Sequence, residues 1–383
     1  MKPSTPFLLS AAVLLSTAAV AQAAPVAPPA FTVKVFAGAP SHATSGPDDI
    51  TSLNGNVFVA WQNGIGPKGE AGPQKVLDST VVQYSHSGSV INKWSLPGKV
   101  DGISGDGNRL IATANEDGNS ILYVVNPGAP KKFQVTQYAY MPAPDSSGSS
   151  AVHTGGGTDS VQIVNGQILV AASAPTHSGR GATFRVTLAT TTTRKKTKVG
   201  GKIKSVKVVT HVATLSSTFL DNSHATDAVT GNPITLHLTD PDSNALVPAS
   251  LSAIGGPFAG DYVLSGQSND QLVFAAGLGS GHTTLTRLPL TYVDPITQAA
   301  SKAGIDDVRW APADNSTLYA VDNKANKIYK VKGPFTAGEA IAAMDTVGTK
   351  SLGGTLATLN DGSGELDPFL IGLKAAKGLL FMP

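Results

Sequence analysis

The chain has no cysteine, so it forms no disulfide bond and offers no thiol nucleophile or thiolate metal ligand. An excess of charge of either sign is also missing, since 28 Lys and Arg residues stand against 26 Asp and Glu residues. A chain so close to neutral has no global field that would attract nucleic acid or an anionic membrane. We therefore expect no nucleic-acid partner.

Several short catalytic motifs are missing as well. The sequence contains no G-x-S-x-G nucleophile elbow, no H-E-x-x-H pair, no P-loop and no EF-hand loop. The usual serine-hydrolase and metallopeptidase routes therefore have no support. Beyond the N-terminal segment there is no long uncharged apolar run, and we expect no membrane span.

The N-terminal segment has the pattern of a secretory signal peptide over residues 1–23. Lys2 gives a positive start, PFLLSAAVLLSTAAVA is an apolar core, and Ala21-Gln22-Ala23 supplies small residues for cleavage after Ala23. An uncleaved membrane anchor is the alternative, but the apolar run falls short of the ~20 residues that span a bilayer. We expect a secreted or periplasmic protein, with a disordered or extended Pro-rich lead over residues 24–30.

What the sequence has in plenty is glycine (41 residues), proline (25 residues) and short strand-like segments. GIS, RLIATA and SILYVV follow one another between turns that carry Asp, Gly or Asn, and the same order recurs along the chain. Such a recurrence, in units of about 40–55 residues, is typical of a β-propeller. The sequence predicts one all-β domain over residues 31–383, a propeller of about six four-stranded blades. Seven blades are the alternative, because residues 215–251 are hard to assign.

The chain ends are predicted to share one blade. TLATLN, PFLIGL and KGLLFM near the C-terminus would assemble with the early strand FTVKVFAG, which closes the ring and removes an exposed edge. In the same interpretation, IDDVRWAPADNSTLYAVDNKANKIYKVKG forms the preceding blade by itself.

Four strand starts read PDDI, VDGI, TDSV and IDDV, each followed by a turn and then by VFVA, LIATA, ILVAA or LYAVD. This pattern resembles the blade starts of NHL-repeat propellers, and also those of the senescence marker protein/gluconolactonase propellers. The resemblance covers residues 31–383 in rhythm rather than in continuous identity. It implies a propeller fold, and it says little about function, because propellers host many unrelated activities.

Two interpretations of the aspartates in these motifs, Asp49, Asp101, Asp159 and Asp306, stay open. Each carboxylate caps a turn and accepts backbone N–H groups, or several converge on one channel mouth and hold a divalent cation such as Ca²⁺, Zn²⁺ or Mn²⁺. The resemblance places Asp101 at the family's metal-binding, proton-shuttling aspartate. None of the four is Asn, however, where the family often has Asn, and no residue matches its N-terminal ligand glutamate.

Three histidines recur a few residues upstream of an aspartate: His42, His153 and His224. Imidazole beside carboxylate makes a general base or a mixed nitrogen and oxygen metal site. The alternative is a polar loop histidine that is hydrogen-bonded to neighbouring backbone. Glu116, a lone loop glutamate, could reach the channel mouth, but the favoured interpretation is a solvated side chain.

Two functions from different classes follow. The favoured one is a monomeric binding or interaction module that holds a small molecule, a glycan or a protein at one face of the disc. The alternative is a metal-dependent hydrolase or lactonase with an aspartate-lined site in the channel, and Asp101 as its catalytic residue. The basic run over residues 190–207 is expected to be a long solvated hairpin, although it could also bind polyanions.

Overall fold

The structure is a computed structural model that describes residues 24–144, 152, 154–176, 178–199, 202–278, 282–294, 296–297, 299–347 and 350–383. The predicted signal peptide (1–23) and His153 lie outside the described residues. Strands dominate, and the described helices are four short 3-10 turns at Pro73–Lys75, Lys131–Phe133, Ala249–Ile254 and Gln267–Asn269. None of these helices is long and apolar enough to cross a membrane.

The described strands form six four-stranded blades, which we number I to VI and list from the inner to the outer strand. Blade I is β2 (Pro47–Leu53), β3 (Asn56–Trp61), β4 (Asp78–Tyr84) and β5 (Val90–Pro97); blade II is β6 (Val100–Asp106), β7 (Arg109–Ala114), β8 (Ile121–Val125) and β9 (Val135–Tyr140); blade III is β10 (Thr158–Val164), β11 (Gln167–Ala172), β12 (Gly181–Val199) and β13 (Lys202–Leu220). Blade IV is β16 (Pro241–Leu246), β17 (Tyr262–Gly266), β18 (Gln271–Ala276) and β19 (Thr284–Pro289); blade V is β21 (Ala300–Trp310), β24 (Ala340–Val347), β26 (Thr355–Leu359) and β27 (Glu365–Ile371); blade VI is β28 (Ala376–Met382), β22 (Thr317–Asp322), β23 (Lys327–Lys332) and β1 (Thr32–Gly38). Four short strands extend the edges of these blades: β14 (His224–Asp227), β15 (Pro233–Thr235), β20 (Thr291–Val293) and β25 (Lys350–Ser351). The all-β propeller predicted from the sequence is confirmed.

The apolar core is divided among the interfaces between neighbouring blades. Six clusters of buried side chains occur in the described part of the chain, and each joins one blade to the next around the ring. Strand β3 shows why: Phe58 and Ala60 face blade II, whereas Val57, Val59 and Trp61 face blade VI. Because side chains alternate along a strand, a middle strand with both faces buried is apolar at nearly every position.

Tight hairpin turns join the inner strands to their neighbours. Asn54 and Gly55 have φ of 50° and 75°, and Asn165 and Gly166 have 49° and 73°. Positive φ at both central residues is the geometry that Asn-Gly favours in two-residue hairpins. These turns correspond to the Gly- and Asn-containing turns that separate the strand-like segments in the sequence.

The two chain ends meet in blade VI, as predicted, although its middle strands differ from the prediction. The C-terminal strand β28 pairs with β22, and the early strand β1 pairs with β23. The predicted partners TLATLN and PFLIGL are instead β26 and β27 of blade V. The motif strand β21 pairs with β24, so the hairpin β22–β23 that follows it in sequence belongs to the next blade.

The Pro-rich lead is attached to blade V and ends in a turn before β1. Val26 and Ile371 exchange two backbone hydrogen bonds of 2.9 Å each. The start of the described chain thus adds a short bridge next to β27.

Candidate functional site: a carboxylate-lined channel mouth

Each of the six inner strands has a β-bulge at an equivalent position along the strand. The register shifts fall between Pro47 and Ile50, Val100 and Gly102, Thr158 and Val161, Pro241 and Asn244, Ile305 and Asp307, and, on the partner of β28, between Ala320 and Asp322. A bulge adds a residue to one strand and redirects its side chains. The bulges therefore identify which residues of the six strands are equivalent.

At each bulge we number two successive residues of the inner strand as the first and second bulge positions. The residue at the first position is acidic in five blades and basic in one. In blade order these residues are Asp48, Asp101, Asp159, Asp242, Asp306 and Lys377, which we call the mouth ring. The second bulge position holds Asp49, Gly102, Ser160, Ser243, Asp307 and Gly378. Six inner strands side by side bring the mouth ring together at one end of the channel.

The mouth ring lines a cavity of about 310 Å³. Its acidic lining residues are Asp48, Asp49, Asp101, Glu116, Asp117, Asp159, Asp240, Asp242, Asp306 and Asp307, and its basic ones are Lys99, Arg309 and Lys377. Ten carboxyl groups against three basic groups make the lining strongly acidic. Acidic residues are thus concentrated at this cavity, whereas acidic and basic residues are nearly equal in number over the whole chain.

Two mouth-ring aspartates are paired with lysines. The ammonium nitrogen of Lys99 lies 2.9 Å from Asp101 Oδ1 and also contacts Glu116. Lys377 forms an ion pair with its ring neighbour Asp306. These contacts place a fixed positive charge at two points of the mouth.

The other three mouth-ring aspartates, Asp48, Asp159 and Asp242, have no hydrogen-bond or ion-pair partner among the described residues. Asp159 is only 5 % exposed. The hydroxyl oxygens of Ser160 and Ser243, one position further along the strands, are buried and also have no hydrogen-bond partner among the described residues. Buried polar groups are normally satisfied, so this part of the mouth has unused donor and acceptor capacity.

Beneath the ring, the second bulge position ties neighbouring blades together. Asp49 accepts hydrogen bonds from the N–H groups of Ile50 (2.7 Å) and of Ile103 in blade II (2.6 Å). Asp307 accepts one from Leu379 of blade VI (2.7 Å). These two carboxylates perform the backbone-accepting role that was one of the two interpretations of the motif.

Arg309 lies in this lower layer and separates the cavity from the opposite mouth. Its Nη1 is 2.5 Å from Asp307 Oδ1 and donates to the carbonyl oxygen of Asn244 (3.0 Å). The same guanidinium borders a second cavity of about 180 Å³ at the other end of the channel. The channel is therefore divided at the level of Arg309.

Glycine at the second bulge position allows the close approach of neighbouring inner strands. A Cβ on Gly378 would lie 2.6 Å from the carbonyl oxygen of Asp48, and one on Gly102 would lie 2.7 Å from the backbone nitrogen of Val161. Both distances are too short for any side chain. These glycines let the strands carry the ring aspartates close together.

Burial disfavours the ionised form of the carboxyl groups at the mouth. It raises the pKa of Asp48 to about 7, although nearby lysine ammonium groups oppose the shift. It also raises the pKa of Asp101, Asp159 and Asp242 well above the ordinary range, and neighbouring carboxylates add to the effect. Desolvation and like charges both disfavour the carboxylate form, so added positive charge would stabilise this mouth.

The lower layer shows the same effect. Burial raises the pKa of Asp49 to about 6 and that of Asp307 to about 7, while the Arg309 guanidinium opposes both shifts.

Three of the four aspartates singled out from the sequence, Asp101, Asp159 and Asp306, belong to the mouth ring. Asp49 lies one position further, in the lower layer, and its neighbour Asp48 is the ring member. The metal role assigned to this set stays a prediction. Among the described residues, no group of three or more acidic or histidine side chains is placed to hold a metal ion.

The histidines do not line the cavity where they are described. His42 is exposed in the loop before β2, and His224 is exposed on β14 at the outer edge of blade IV. His153 lies outside the described residues. The predicted ligand-binding role of these three residues stays a prediction.

The sequence interpretation missed Asp48, the ring member next to Asp49, and it missed or judged differently further cavity residues, including Asp242, Lys377 and Glu116. Asp242 is the second residue of β16, in the segment that was hard to assign, and Lys377 occupies the aspartate position of a motif that reads AKGL. A search for x-D-x followed by an apolar strand finds the first, whereas no sequence signal marks the second. Glu116, expected to be solvated, lines the cavity and contacts Lys99.

No protein-family model matches the chain, and no curated protein matches it either. Solved structures with some similarity include a candidate gluconolactonase (12 % identity, TM-score 0.43, 91 % of this chain and 83 % of that one) and a protein from Lactobacillus plantarum (10 %, 0.40, 89 % and 89 %). A third is a candidate oxidoreductase (glucose dehydrogenase) from Thermus thermophilus (9 %, 0.31, 79 % and 99 %). Similarity this remote carries no functional conclusion.

Proposed function

We propose that this propeller is a binding protein whose channel mouth holds a small, positively charged ligand. The single observation that carries the proposal is the set of mouth-ring carboxyl groups without a partner, Asp48, Asp159 and Asp242, in a cavity lined by ten acidic and three basic residues. Carboxylates crowded together in a buried site repel one another. A bound cation displaces protons from these buried carboxyl groups and offsets the repulsion between the resulting carboxylates, so its binding is coupled to their ionisation.

The size and lining of the cavity favour a polar organic ligand. At about 310 Å³ it lies at the small end of the range for ligand pockets, roughly 300–1,000 Å³. Such pockets are mostly apolar, whereas this one is lined by carboxylates, serine hydroxyls and three cations. The ligand class that fits is a hydroxylated amine, with its ammonium group among the partnerless carboxylates and its hydroxyls near Ser160 and Ser243.

Calorimetric titration with a matched pair of sugars tests this proposal. Glucosamine and glucose share size and shape, and only the first carries an ammonium group at neutral pH. We expect glucosamine, or a diamine such as 1,4-diaminobutane, to bind in the millimolar range or tighter, and glucose not to bind. Equal binding of both sugars, or binding of neither sugar and of no amine, would contradict the proposal.

Two matched variants locate the site. Asp159→Asn removes one partnerless carboxylate and should weaken amine binding at least fivefold. Asp367→Asn changes an exposed carboxylate on the outer strand β27 and should leave binding unchanged. The same loss in both variants would point to a general charge effect.

The second candidate function is the hydrolysis of lactones or related esters. It is favoured by a different observation. The pKa of Asp48 is raised to about 7 by burial, and a carboxyl group that titrates near neutral pH is suited to general acid–base catalysis. Asp48 would accept the proton of the water that attacks the carbonyl carbon, and the ammonium groups of Lys99 and Lys377 would stabilise the developing oxyanion. Asp48 would then return the proton to the leaving alcohol oxygen as the acyl C–O bond breaks.

The atoms that line the mouth indicate which metal ions could serve this reaction. Oxygen ligands alone suit hard cations such as Ca²⁺ or Mn²⁺ better than Zn²⁺. The described side chains do not form a ready coordination group, so we assign no step to a metal.

Hydrolysis of a lactone panel above the spontaneous rate tests the second candidate. The assay is run after EDTA treatment and again with Ca²⁺, Mn²⁺ or Zn²⁺ restored. We expect turnover with a limb near pH 7 that Asp48→Asn abolishes. No turnover under any of these conditions removes the hydrolase and leaves the binding protein.

A further inference from the structure

The hairpin β12–β13 of blade III projects beyond the sheet that holds it. Its two 19-residue strands pair with each other along their length. Strand β11 pairs with β12 only as far as Val186, and β9 pairs with β13 only at Val212 and Ala213. The part between these contacts, described for residues 187–199 and 202–211, is a two-stranded ribbon, and we call this segment of the chain the arm.

The hairpin that carries the arm contains positive charge only. Residues 181–220 include eight Lys and Arg residues and no Asp or Glu. The remainder of the chain then has 20 basic against 26 acidic residues. The hairpin therefore concentrates positive charge in a chain whose remaining residues are acidic on balance.

Like charges face each other across the arm. Arg194 pairs directly with Lys207, and Lys196 is two residues further along on the same face, a separation of about 6.6 Å along a strand. All three side chains are exposed, and within the described part of the chain none forms an ion pair. Like charges directly opposite destabilise a strand pair, and an isolated hairpin is marginal at best.

An external polyanion would offset this repulsion, and the side chains of the arm indicate its class. The arm has no Phe, Tyr or Trp, which are the residues that stack on single-stranded bases and anchor helices at membrane interfaces. It has instead exposed threonine hydroxyls at Thr191, Thr192 and Thr193 beside the cations. Ammonium groups interleaved with hydroxyls suit a chain of hydroxylated, anionic sugars.

We propose that the arm is a docking surface for an acidic polysaccharide. The charge of the partner is opposite to that of the ligand assigned to the channel, so this surface acts independently of the channel site.

Binding to dextran sulfate, with neutral dextran as the uncharged control, tests the proposal at 50–500 mM NaCl. We expect the protein to bind dextran sulfate and not dextran, with affinity that falls as salt rises, because bound counterions are released. The triple variant Arg194→Glu/Lys196→Glu/Lys207→Glu should bind at least tenfold more weakly at 150 mM NaCl.

The matched control is Lys34→Glu/Lys327→Glu/Lys332→Glu, which makes the same charge change at exposed lysines on the outer strands of blade VI. It should change the affinity less than threefold. A second variant replaces residues 190–211 by Asn-Gly between the paired residues Ala189 and Val212. It should keep the parent melting temperature and lose polysaccharide binding.

Three results would overturn the proposal. The first is no binding of dextran sulfate by the parent at 150 mM NaCl. The second is an equal loss in the blade VI control. The third is tighter binding of single-stranded DNA or of anionic lipid vesicles than of dextran sulfate, which would assign the arm to another partner.

Discussion

Replacing Asp48 by asparagine should stabilise the protein above neutral pH. Burial raises the pKa of this carboxyl from 3.8 to about 7. The folded state therefore holds a proton that the unfolded state has released, and stability falls as pH rises from about 4 to about 7. Asparagine has nearly the same shape and no charge, so the variant does not lose stability over this range.

The size of the effect follows from the shift. Three pKa units correspond to about 4 kcal/mol at about 1.4 kcal/mol per unit, and the partial exposure of Asp48 reduces this to roughly 2 kcal/mol. For a domain of about 350 residues, with an unfolding entropy of about 2.1 cal/mol/K per residue, 2 kcal/mol raises the melting temperature by about 3 °C. We expect this gain for Asp48→Asn at pH 8 and almost none at pH 4.

Thermal melts of parent and variant across pH 4–8 provide the measurement, and Asp306→Asn is the matched control. Asp306 has the equivalent ring position but forms an ion pair with Lys377. It also accepts a hydrogen bond of 3.4 Å from the side-chain Nε2 of Gln267. Its replacement leaves a half-buried ammonium group without its partner and should destabilise the protein at pH 8. The reasoning is refuted if Asp48→Asn gives the same shift at both pH values, or if both variants change the melting temperature in the same direction.

Four further outcomes are expected. Asp49→Ala, which removes the acceptor of two backbone hydrogen bonds, should lower the free energy of unfolding by about 2–3 kcal/mol in urea titration, and Asp49→Asn by less. Gly378→Val should lower the melting temperature by more than 5 °C, because its Cβ would overlap backbone of β2, whereas Gly128→Ala meets nothing closer than 3.7 Å and should not. Deleting residues 377–383 removes most of the inner strand of blade VI and should abolish cooperative unfolding in circular dichroism; a parent-like melt would show that this strand does not close the ring. The predicted signal peptide is tested by N-terminal sequencing of protein recovered outside the cytoplasm, and Ala24 is its expected first residue.

The candidate site was partly visible in the sequence. The repeated x-D-x motif marked Asp101, Asp159 and Asp306 because each bulge places its aspartate at the same point of a similar local sequence. In PDDI the motif contains two aspartates, and sequence cannot tell which one faces the channel. The bulge register decides it, since only Asp48 occupies the first bulge position.

Sequence alone determined the fold class and the compositional limits of this protein. Short β-branched segments, Asn-Gly turns and repeated aspartates are local features, and local features suffice to predict strands and their approximate period. The absence of cysteine likewise excludes thiol chemistry without any structure.

Only the tertiary structure decided which strands share a blade and which charges meet. The hairpin β22–β23 follows β21 in sequence but pairs with β28 and β1, because strand partners are selected by long-range packing that a local pattern does not record. The same holds for Lys377, which reaches Asp306 across 71 residues. A lysine in a C-terminal strand has no signature of its own, and ring closure alone places it at the mouth.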